Sequence, residues 1–131
     1  MVTTKALGDE GEERALAHLR RAGLELVQRN YRVAGGPGRP AAEVDLILRE
    51  RDGTLVFVEV KTRSSEDFGR PFSAVDRKKR RRIIRGAMAW LRMLELPDLT
   101  FRFDVVEVVA SEPPEVRILE NAFQLPANYY Y

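Results

Sequence analysis

Two apolar runs with charged residues set into them stand in the middle of the chain. Residues 43–48 and 55–61 are rich in β-branched and large apolar side chains, a composition typical of strands. Asp52 and Gly53 lie between the runs, and an Asp-Gly pair between two apolar runs indicates a hairpin. We therefore expect two antiparallel strands joined by a tight turn.

The length of the hairpin loop decides which side chains share a face. A two-residue loop places Asp45 opposite Val60 and turns it away from Glu59, because a one-residue slip moves every side chain to the other face. A three-residue loop over 51–53, with its glycine in the left-handed position, pairs Asp45 with Glu59. We favour this loop because it leaves a wholly apolar second face. That face consists of Val44, Leu46, Leu48, Val56, Val58 and Val60.

The polar face of the predicted hairpin collects carboxylates and one ammonium group. In the three-residue register Glu43 lies opposite Lys61, beside the pair of Asp45 and Glu59. Carboxylate oxygens suit Mg²⁺ or Mn²⁺, and a nearby lysine can orient water or stabilise charge on a phosphate. A cross-strand ion-pair cluster, in which Glu43 and Asp45 neutralise Lys61, explains the same residues. Geometry alone leaves both interpretations open.

Periodicity predicts further elements on both sides of the hairpin. They are a helix at 9–22, a strand at 24–33, a helix from Ser73 or Asp76 to about residue 94, and strands at 100–109 and 116–120. The order is helix, three strands, helix, two strands. A helical crossover between the third and fourth strands makes those two strands parallel. The expected fold class is α/β, a mixed β-sheet flanked by helices.

Glu12 is a second candidate for the site. It precedes Leu16 by four residues and Leu19 by seven, which places it on the inward stripe of the first helix. An inward carboxylate could reach the metal site. The spacing from Asp9 to Glu12 is also that of a capping box, in which Glu12 turns back to the Asp9 amide, and the spacing alone favours that interpretation.

Composition limits the chemistry that is available. The chain has 131 residues, which suits one domain over 1–131. It contains no cysteine and a single histidine, so that thiolate chemistry is excluded and any metal must rely on oxygen ligands. No apolar run approaches the roughly 20 residues of a membrane span, and the N-terminus has no apolar signal core. We therefore expect a cytoplasmic protein without a membrane partner.

Positive charge is concentrated in one block, although the net charge of the chain is only +2. Residues 76–85 carry seven basic residues and one acidic residue, hence +6, which leaves −4 for the rest of the chain. Basic residues at a helix N-terminus oppose the helix dipole, and phosphates would supply the missing negative charge. A solvated basic face is the alternative. Arg63 and Arg70, in the polar loop before this helix, could also hold phosphate or merely contact solvent.

Asp45, with Glu59-x-Lys61 fourteen residues later on a hairpin, resembles the P-D-(D/E)-x-K signature of restriction-endonuclease-like nucleases. Further matching residues are Gly11-Glu12, Arg29-Asn30-Tyr31, Glu43-Val44-Asp45-Leu46-Ile47, Val58-Glu59-Val60-Lys61-Thr62-Arg63, Lys79 with Arg82, Arg102-Phe103-Asp104, and Asn121-Ala122-Phe123. This longer set resembles the YraN-type family of predicted endonucleases, which is similar in fold to archaeal Holliday junction resolvases. Ala42 departs from the pattern, because the family usually has glycine there.

The resemblance implies a metal-dependent nuclease that acts on DNA, with branched or repair-related structures among its substrates. Asp45 and Glu59 would bind Mg²⁺ or Mn²⁺, together with the Val60 carbonyl, and Glu12 would be an auxiliary ligand. Lys61 would position the attacking water and stabilise the pentavalent phosphate.

The same resemblance implies that Lys78, Lys79 and Arg82 hold the DNA backbone. A nucleic-acid-binding module that has the fold but cleaves nothing is the principal alternative, and an interaction protein with an acidic–basic docking face is a third. Metal-stimulated cleavage and salt-dependent DNA binding distinguish the three classes. The sequence leaves both a monomer and a homodimer open.

Overall fold

Five strands form one mixed sheet in the order β1-β2-β3-β4-β5, so that neighbours along the chain are also neighbours in the sheet. The computed structural model describes residues 4–64, 75–95 and 99–127. The elements are α1 (Thr4–Arg21), β1 (Glu25–Val33), β2 (Ala42–Arg49), β3 (Leu55–Ser64), α2 (Arg77–Leu94), β4 (Phe101–Ala110) and β5 (Glu115–Phe123). The predicted order of helix, three strands, helix and two strands is confirmed.

Strand directions follow from the connections. The β1–β2, β2–β3 and β4–β5 pairs are antiparallel, whereas β3 and β4, joined through α2, are parallel from Leu55↔Phe101 to Ser64↔Ala110. The predicted parallel pair is confirmed, and the last strand forms one edge of the sheet. The α/β fold with its mixed sheet and two helices is consistent with a restriction-endonuclease-like arrangement.

Each helix covers a different set of buried sheet residues. Leu16 and Leu19 of α1 pack with Leu46, Leu48 and apolar residues of β3 and β4. Apolar residues of α2 pack with a second set, which includes a group of phenylalanine rings. That second set contains Ile83, Ile84, Met88, Ile47, Phe57 and Phe103. Burial of these two apolar faces is the main driving force for the fold.

Helix α1 begins earlier than its periodicity indicated. The prediction placed its start at Asp9, but the helix already includes Thr4 to Gly8. The capping-box interpretation is therefore wrong, because Asp9 is an interior helical residue and Glu12 lies well beyond the first turn. Glycine inside a helix costs only about 1 kcal/mol relative to alanine, so Gly8 and Gly11 do not end it.

Helix α2 begins after Asp76, one of the two residues predicted to start it. Oδ1 of Asp76 accepts a hydrogen bond of 2.8 Å from the backbone N–H of Lys79, which is the N-cap geometry. The alternative start, Ser73, lies outside the described residues. Trp90 packs edge-on against Tyr31 with ring centroids 5.0 Å apart, beside the buried core residues of α2. Within the described ranges, no helix is both long and apolar enough to cross a membrane.

Candidate functional site

The hairpin between β2 and β3 has the predicted three-residue loop. Arg49 pairs with Leu55, and the backbone N–H of Glu50 donates to the Thr54 carbonyl over 2.9 Å. Gly53 has φ of 94°, a left-handed conformation that glycine adopts without strain. Asp52 Oδ1 accepts a hydrogen bond of 2.9 Å from the Thr54 N–H and closes the turn. The loop thus sets the register that brings Asp45 to the level of Glu59.

Strand β2 departs from regular pairing just before Asp45. The recorded β2–β3 pairs end at Leu46↔Val58, and the N–H of Val60 donates over 2.8 Å to Oδ2 of Asp45. The side chain of Asp45 therefore accepts the hydrogen bond that a backbone carbonyl of β2 would accept in a regular antiparallel ladder. This contact holds the Asp45 side chain against β3.

The predicted alternation of faces is wrong at Val44. Val44 packs with Ile47 on the α2 side, whereas Leu46 and Leu48 pack on the α1 side as expected. The strand changes its path because the side chain of Asp45, rather than its backbone, bonds to β3. Glu43 consequently lies near Arg32, with 3.5 Å between carboxylate and guanidinium. The expected pairing of Glu43 with Lys61 is not among the recorded pairs of the described strands.

Asp45 and Glu59 form a carboxyl pair. The hairpin register brings the two residues to the same level of neighbouring strands, where the charge of Glu59 acts on Asp45. Burial and the neighbouring charge of Glu59 raise the pKa of Asp45 to about 8, although the bond from the Val60 N–H acts in the opposite direction. Asp45 therefore holds its proton to a higher pH than an ordinary aspartate does. Glu59 is itself buried, with 4% of its surface exposed.

Lys79 places a positive charge beside this pair. Its Nζ lies 2.7 Å from Oε1 of Glu59, although the two residues belong to different elements, α2 and β3. Burial lowers the pKa of Lys79, but the hydrogen bond to Glu59 and the charge of Glu59 outweigh burial, so the pKa is raised. The ammonium group of Lys79 therefore offsets part of the negative charge of the two carboxyl groups.

Lys61 lies in the same electrostatic neighbourhood. Burial, followed by the charges of Lys79 and Arg63, lowers the pKa of Lys61, while Glu59 raises it to a smaller extent. Burial and the neighbouring cations prevail, which favours proton loss from Lys61 compared with an ordinary lysine.

Glu12 faces the Asp45 side of the site. It lines a cleft of about 830 Å³ between α1 and the ends of the strands, together with Glu43, Asp45, Val60 and Arg63. Burial raises the pKa of Glu12, and the charge of Arg29 opposes this effect. Oε1 of Glu12 is buried and accepts no hydrogen bond from the described residues. An unsatisfied buried carboxylate oxygen is suited to a cation.

The site can supply two carboxylate ligands to one hard divalent cation. Asp45 and Glu59 present adjacent carboxyl groups, whose negative charges Mg²⁺ or Mn²⁺ would neutralise. Across the residues that the structure describes, no group of three or more acidic or histidine side chains is gathered closely enough to hold a metal. The chain therefore offers a two-carboxylate site, with Glu12 in the adjoining cleft rather than in the pair.

The predicted DNA-binding residues fall into two groups. Lys78 is exposed on the first turns of α2, and Arg82 is half-buried there, where its buried Nε–H donates to no acceptor among the described residues. Lys79 and Arg63 instead contact acidic residues, Glu59 and Glu107. Arg70 lies outside the described residues.

Glu107 is a site-supporting residue that the sequence analysis missed. It is fully buried in β4, and its carboxylate lies 2.5 Å from Nε of Arg63 and 3.5 Å from Nη1 of Arg117. Its signal was a single charge inside the apolar run 105–109. Asp104 gave a similar signal: it is buried, accepts from Nε of Arg102 over 3.1 Å, and pairs with Val58, one residue from the level of Glu59.

The α/β sheet with a carboxyl pair and lysine on its central hairpin defines a protein of the restriction-endonuclease-like fold class. Residues 11–108 match the family described as "Uncharacterised protein family UPF0102". The chain belongs to this family, and the resemblance to the YraN-type proteins is thereby confirmed.

Relatives cover the chain almost completely. A UPF0102 protein of Methylibium petroleiphilum is 56% identical over 123 residues, which is 94% of this chain and 98% of the relative. A UPF0102 protein of Acidovorax sp. is 48% identical, over 92% of this chain and 86% of its own. A UPF0102 protein of Trichlorobacter lovleyi is 39% identical, over 92% of both chains.

Proposed function

We propose that this protein is a metal-dependent nuclease of the P-D-(D/E)-x-K type that acts on DNA, with branched or repair-related structures among its substrates. The observation that carries the proposal is the carboxyl pair of Asp45, held by the Val60 N–H, and buried Glu59, next to Lys61 in β3. Two buried carboxyl groups in contact destabilise one another unless a proton or a cation lies between them. Electrostatic repulsion of this kind between neighbouring carboxyl groups is typical of a functional site.

Asp45 and Glu59 would hold Mg²⁺ or Mn²⁺, with the Val60 carbonyl as a further ligand and Glu12 as an auxiliary one. When bound, the cation would polarise the scissile phosphate and offset the negative charge that develops on it. The two carboxylates and Lys61 come from one chain, so this proposal needs no second copy. A homodimer remains compatible with it.

Lys61 would orient the attacking water and donate hydrogen bonds to the phosphate oxygens. The water oxygen forms a bond to phosphorus while the bond from phosphorus to the leaving sugar oxygen breaks, and negative charge grows on the phosphate oxygens. The lowered pKa of Lys61 supports this role, since a lysine near other cations exchanges protons more readily.

The basic block of α2 would hold the DNA backbone. Its residues from Arg77 to Arg81 are exposed, and the block carries a charge of +6. Contacts to phosphates position DNA without reading its sequence. We therefore expect binding that depends strongly on salt and weakly on base sequence.

The proposal is tested with purified protein, Mg²⁺ or Mn²⁺, and linear, branched and single-stranded DNA. Wild type should cleave only with added metal, and Glu59→Gln, which keeps the side-chain shape, should abolish cleavage. Glu115→Gln, an exposed carboxylate on β5, serves as the control. Metal-independent cleavage, or equal cleavage by Glu59→Gln, would contradict the proposal.

A second candidate function is a nucleic-acid-binding module without catalysis. The ion pair between Lys79 and Glu59 favours it, because a chain that neutralises its own carboxylates needs no metal for stability. This function predicts DNA binding that is indifferent to Mg²⁺ and no cleavage of any of the three substrates.

A further inference from the structure

Lys79 takes part both in the carboxyl site and in the basic block of α2. Its ammonium group lies 2.7 Å from a buried oxygen of Glu59, while the residue itself stands in the exposed basic block of α2. We propose that Lys79 is an exchangeable counterion, which leaves Glu59 for a DNA phosphate when the metal binds, so that DNA and metal strengthen each other's binding. This inference rests on the proposed function and adds a means of regulation to the same site.

Competition for Glu59 is the first step of the argument. The Glu59 side chain is only 5% exposed, so few directions of approach to its oxygens remain. A divalent cation that uses Oε1 must take the place of the ammonium group or share a buried carboxylate with it. Two cations at that distance repel each other strongly in a partly buried site. Metal binding to the protein alone therefore has to break the Lys79–Glu59 ion pair.

The side chain of Lys79 can leave without a change in the fold. Asp76 fixes the backbone of this residue through the N-cap hydrogen bond, so the helix turn stays in place. The Lys79 side chain is 49% exposed, which gives its ammonium group a path to solvent. Lys78 and Arg80 stand exposed beside it in the same turn. A phosphate drawn to that block would give the displaced ammonium group a new partner.

Coupling follows from these two steps. Without DNA, metal binding loses an ion pair, and without metal, DNA binding lacks the Lys79 contact. When both ligands are present, the metal frees Lys79 to contact DNA, and the DNA phosphate gives the displaced Lys79 a new partner. Coupling between two ligands is reciprocal, so the factor by which DNA tightens metal binding equals the factor by which metal tightens DNA binding.

Isothermal titration calorimetry with Mg²⁺ in the absence of DNA tests whether Lys79 competes with the metal for Glu59. Lys79→Met keeps the aliphatic stem and removes the charge, and Lys78→Met removes the same charge one residue away. We expect the Mg²⁺ dissociation constant to fall about tenfold in Lys79→Met and to stay within about twofold in Lys78→Met. Equal or weaker Mg²⁺ binding by Lys79→Met would overturn the coupling and leave the nuclease proposal intact. No Mg²⁺ binding that depends on Glu59 in any variant would overturn both.

DNA binding in EDTA, where no cleavage occurs, tests the second half. Glu59→Gln should release Lys79, tighten binding of a short duplex, and steepen the dependence of log K on log salt by about one unit. The double variant with Lys79→Met should show neither change, which separates release of Lys79 from a general loss of negative charge. An equal gain in the single and the double variant would overturn the proposal.

Discussion

The backbone N–H of Val60 donates a hydrogen bond of 2.8 Å to Oδ2 of Asp45. This contact lies where the β2–β3 pairing stops, and it holds the carboxyl group at the level of Glu59. A regular sheet would use a backbone carbonyl there and turn the side chain outward. The local irregularity of β2 is thus what builds the carboxyl pair.

The first prediction concerns the stability of the metal-free protein at different pH values. Because burial and Glu59 raise the pKa of Asp45 to about 8, the folded state binds a proton that the unfolded chain releases near its ordinary value of 3.8. The free energy of unfolding should therefore decrease as the pH rises from about 4 to about 8. Asp45→Asn cannot ionise and should be more stable than wild type by about 1–3 kcal/mol near pH 8.

Urea unfolding in EDTA near pH 5 and near pH 8 measures this difference. Asp52→Asn is the control, because a hydrogen bond from the Thr54 N–H lowers the pKa of the exposed Asp52, which therefore titrates below this range. Its difference from wild type should be the same at both pH values. An Asp45→Asn variant that loses stability relative to wild type as the pH rises would contradict the prediction.

The second prediction concerns the contact between α1 and β3. A Cβ atom at Gly11 would lie 2.1 Å from Oγ1 of Thr62, so Gly11→Ala should destabilise the protein by about 1–3 kcal/mol. Gly8→Ala, which meets no atom within 4 Å, should instead be neutral or stabilising by about 0.5–1 kcal/mol. Thr62→Ala removes the clashing oxygen and should recover part of the loss in thermal melts. Equal melting temperatures for the two alanine variants would disprove the close contact.

The third prediction concerns the buried carboxylate of β4. Glu107→Ala leaves Arg63 and Arg117 without their shared partner, and we expect a loss of about 3 kcal/mol. Glu115→Ala removes a second partner of Arg117 whose side chain is 44% exposed, so its cost should stay below about 1 kcal/mol. Chemical denaturation compares the two. A smaller loss for Glu107→Ala than for Glu115→Ala would speak against a buried ion-pair network.

The fourth prediction concerns DNA contacts on α2. Lys78→Ala and Arg82→Ala should each weaken DNA binding across sequences and reduce the salt slope by about one. Arg92→Ala, in the last turn of the same helix, is the control and should leave the slope unchanged. Fluorescence anisotropy over a series of salt concentrations measures the slopes. If all three variants kept the wild-type slope, the block would be a solvated face rather than a phosphate-binding surface.

The fold could be predicted from local sequence patterns, because turns and the periodicity of helices and strands depend on residues that are close together in the chain. The Asp52-Gly53 turn determined the hairpin register, and the helical crossover determined the parallel β3–β4 pair. The predicted helix began at Asp9, just after Gly8, whereas the helix continues through Gly8 to Thr4. Packing of α1 against the sheet outweighs the small cost of each glycine.

Contacts between distant elements could not be predicted from sequence. Val44 was assigned to the wrong face, because the path of β2 depends on one side-chain bond from Asp45 to a β3 amide. Lys79 was expected to contact DNA, yet its partner here is Glu59, twenty residues earlier. Such pairings depend on how α2 crosses the sheet, which periodicity does not encode.

The most direct test of the nuclease site compares cleavage with metal binding in Lys61→Ala. At saturating Mg²⁺, single-turnover cleavage of branched DNA should be at least about 100-fold slower than in wild type, since a positioned proton-transfer group contributes that much or more. Mg²⁺ affinity should stay the same or improve, because a positive charge near the cation is gone. Strong destabilisation of Lys61→Ala, together with no Mg²⁺ binding by wild type, would contradict the account and favour a structural ion-pair cluster.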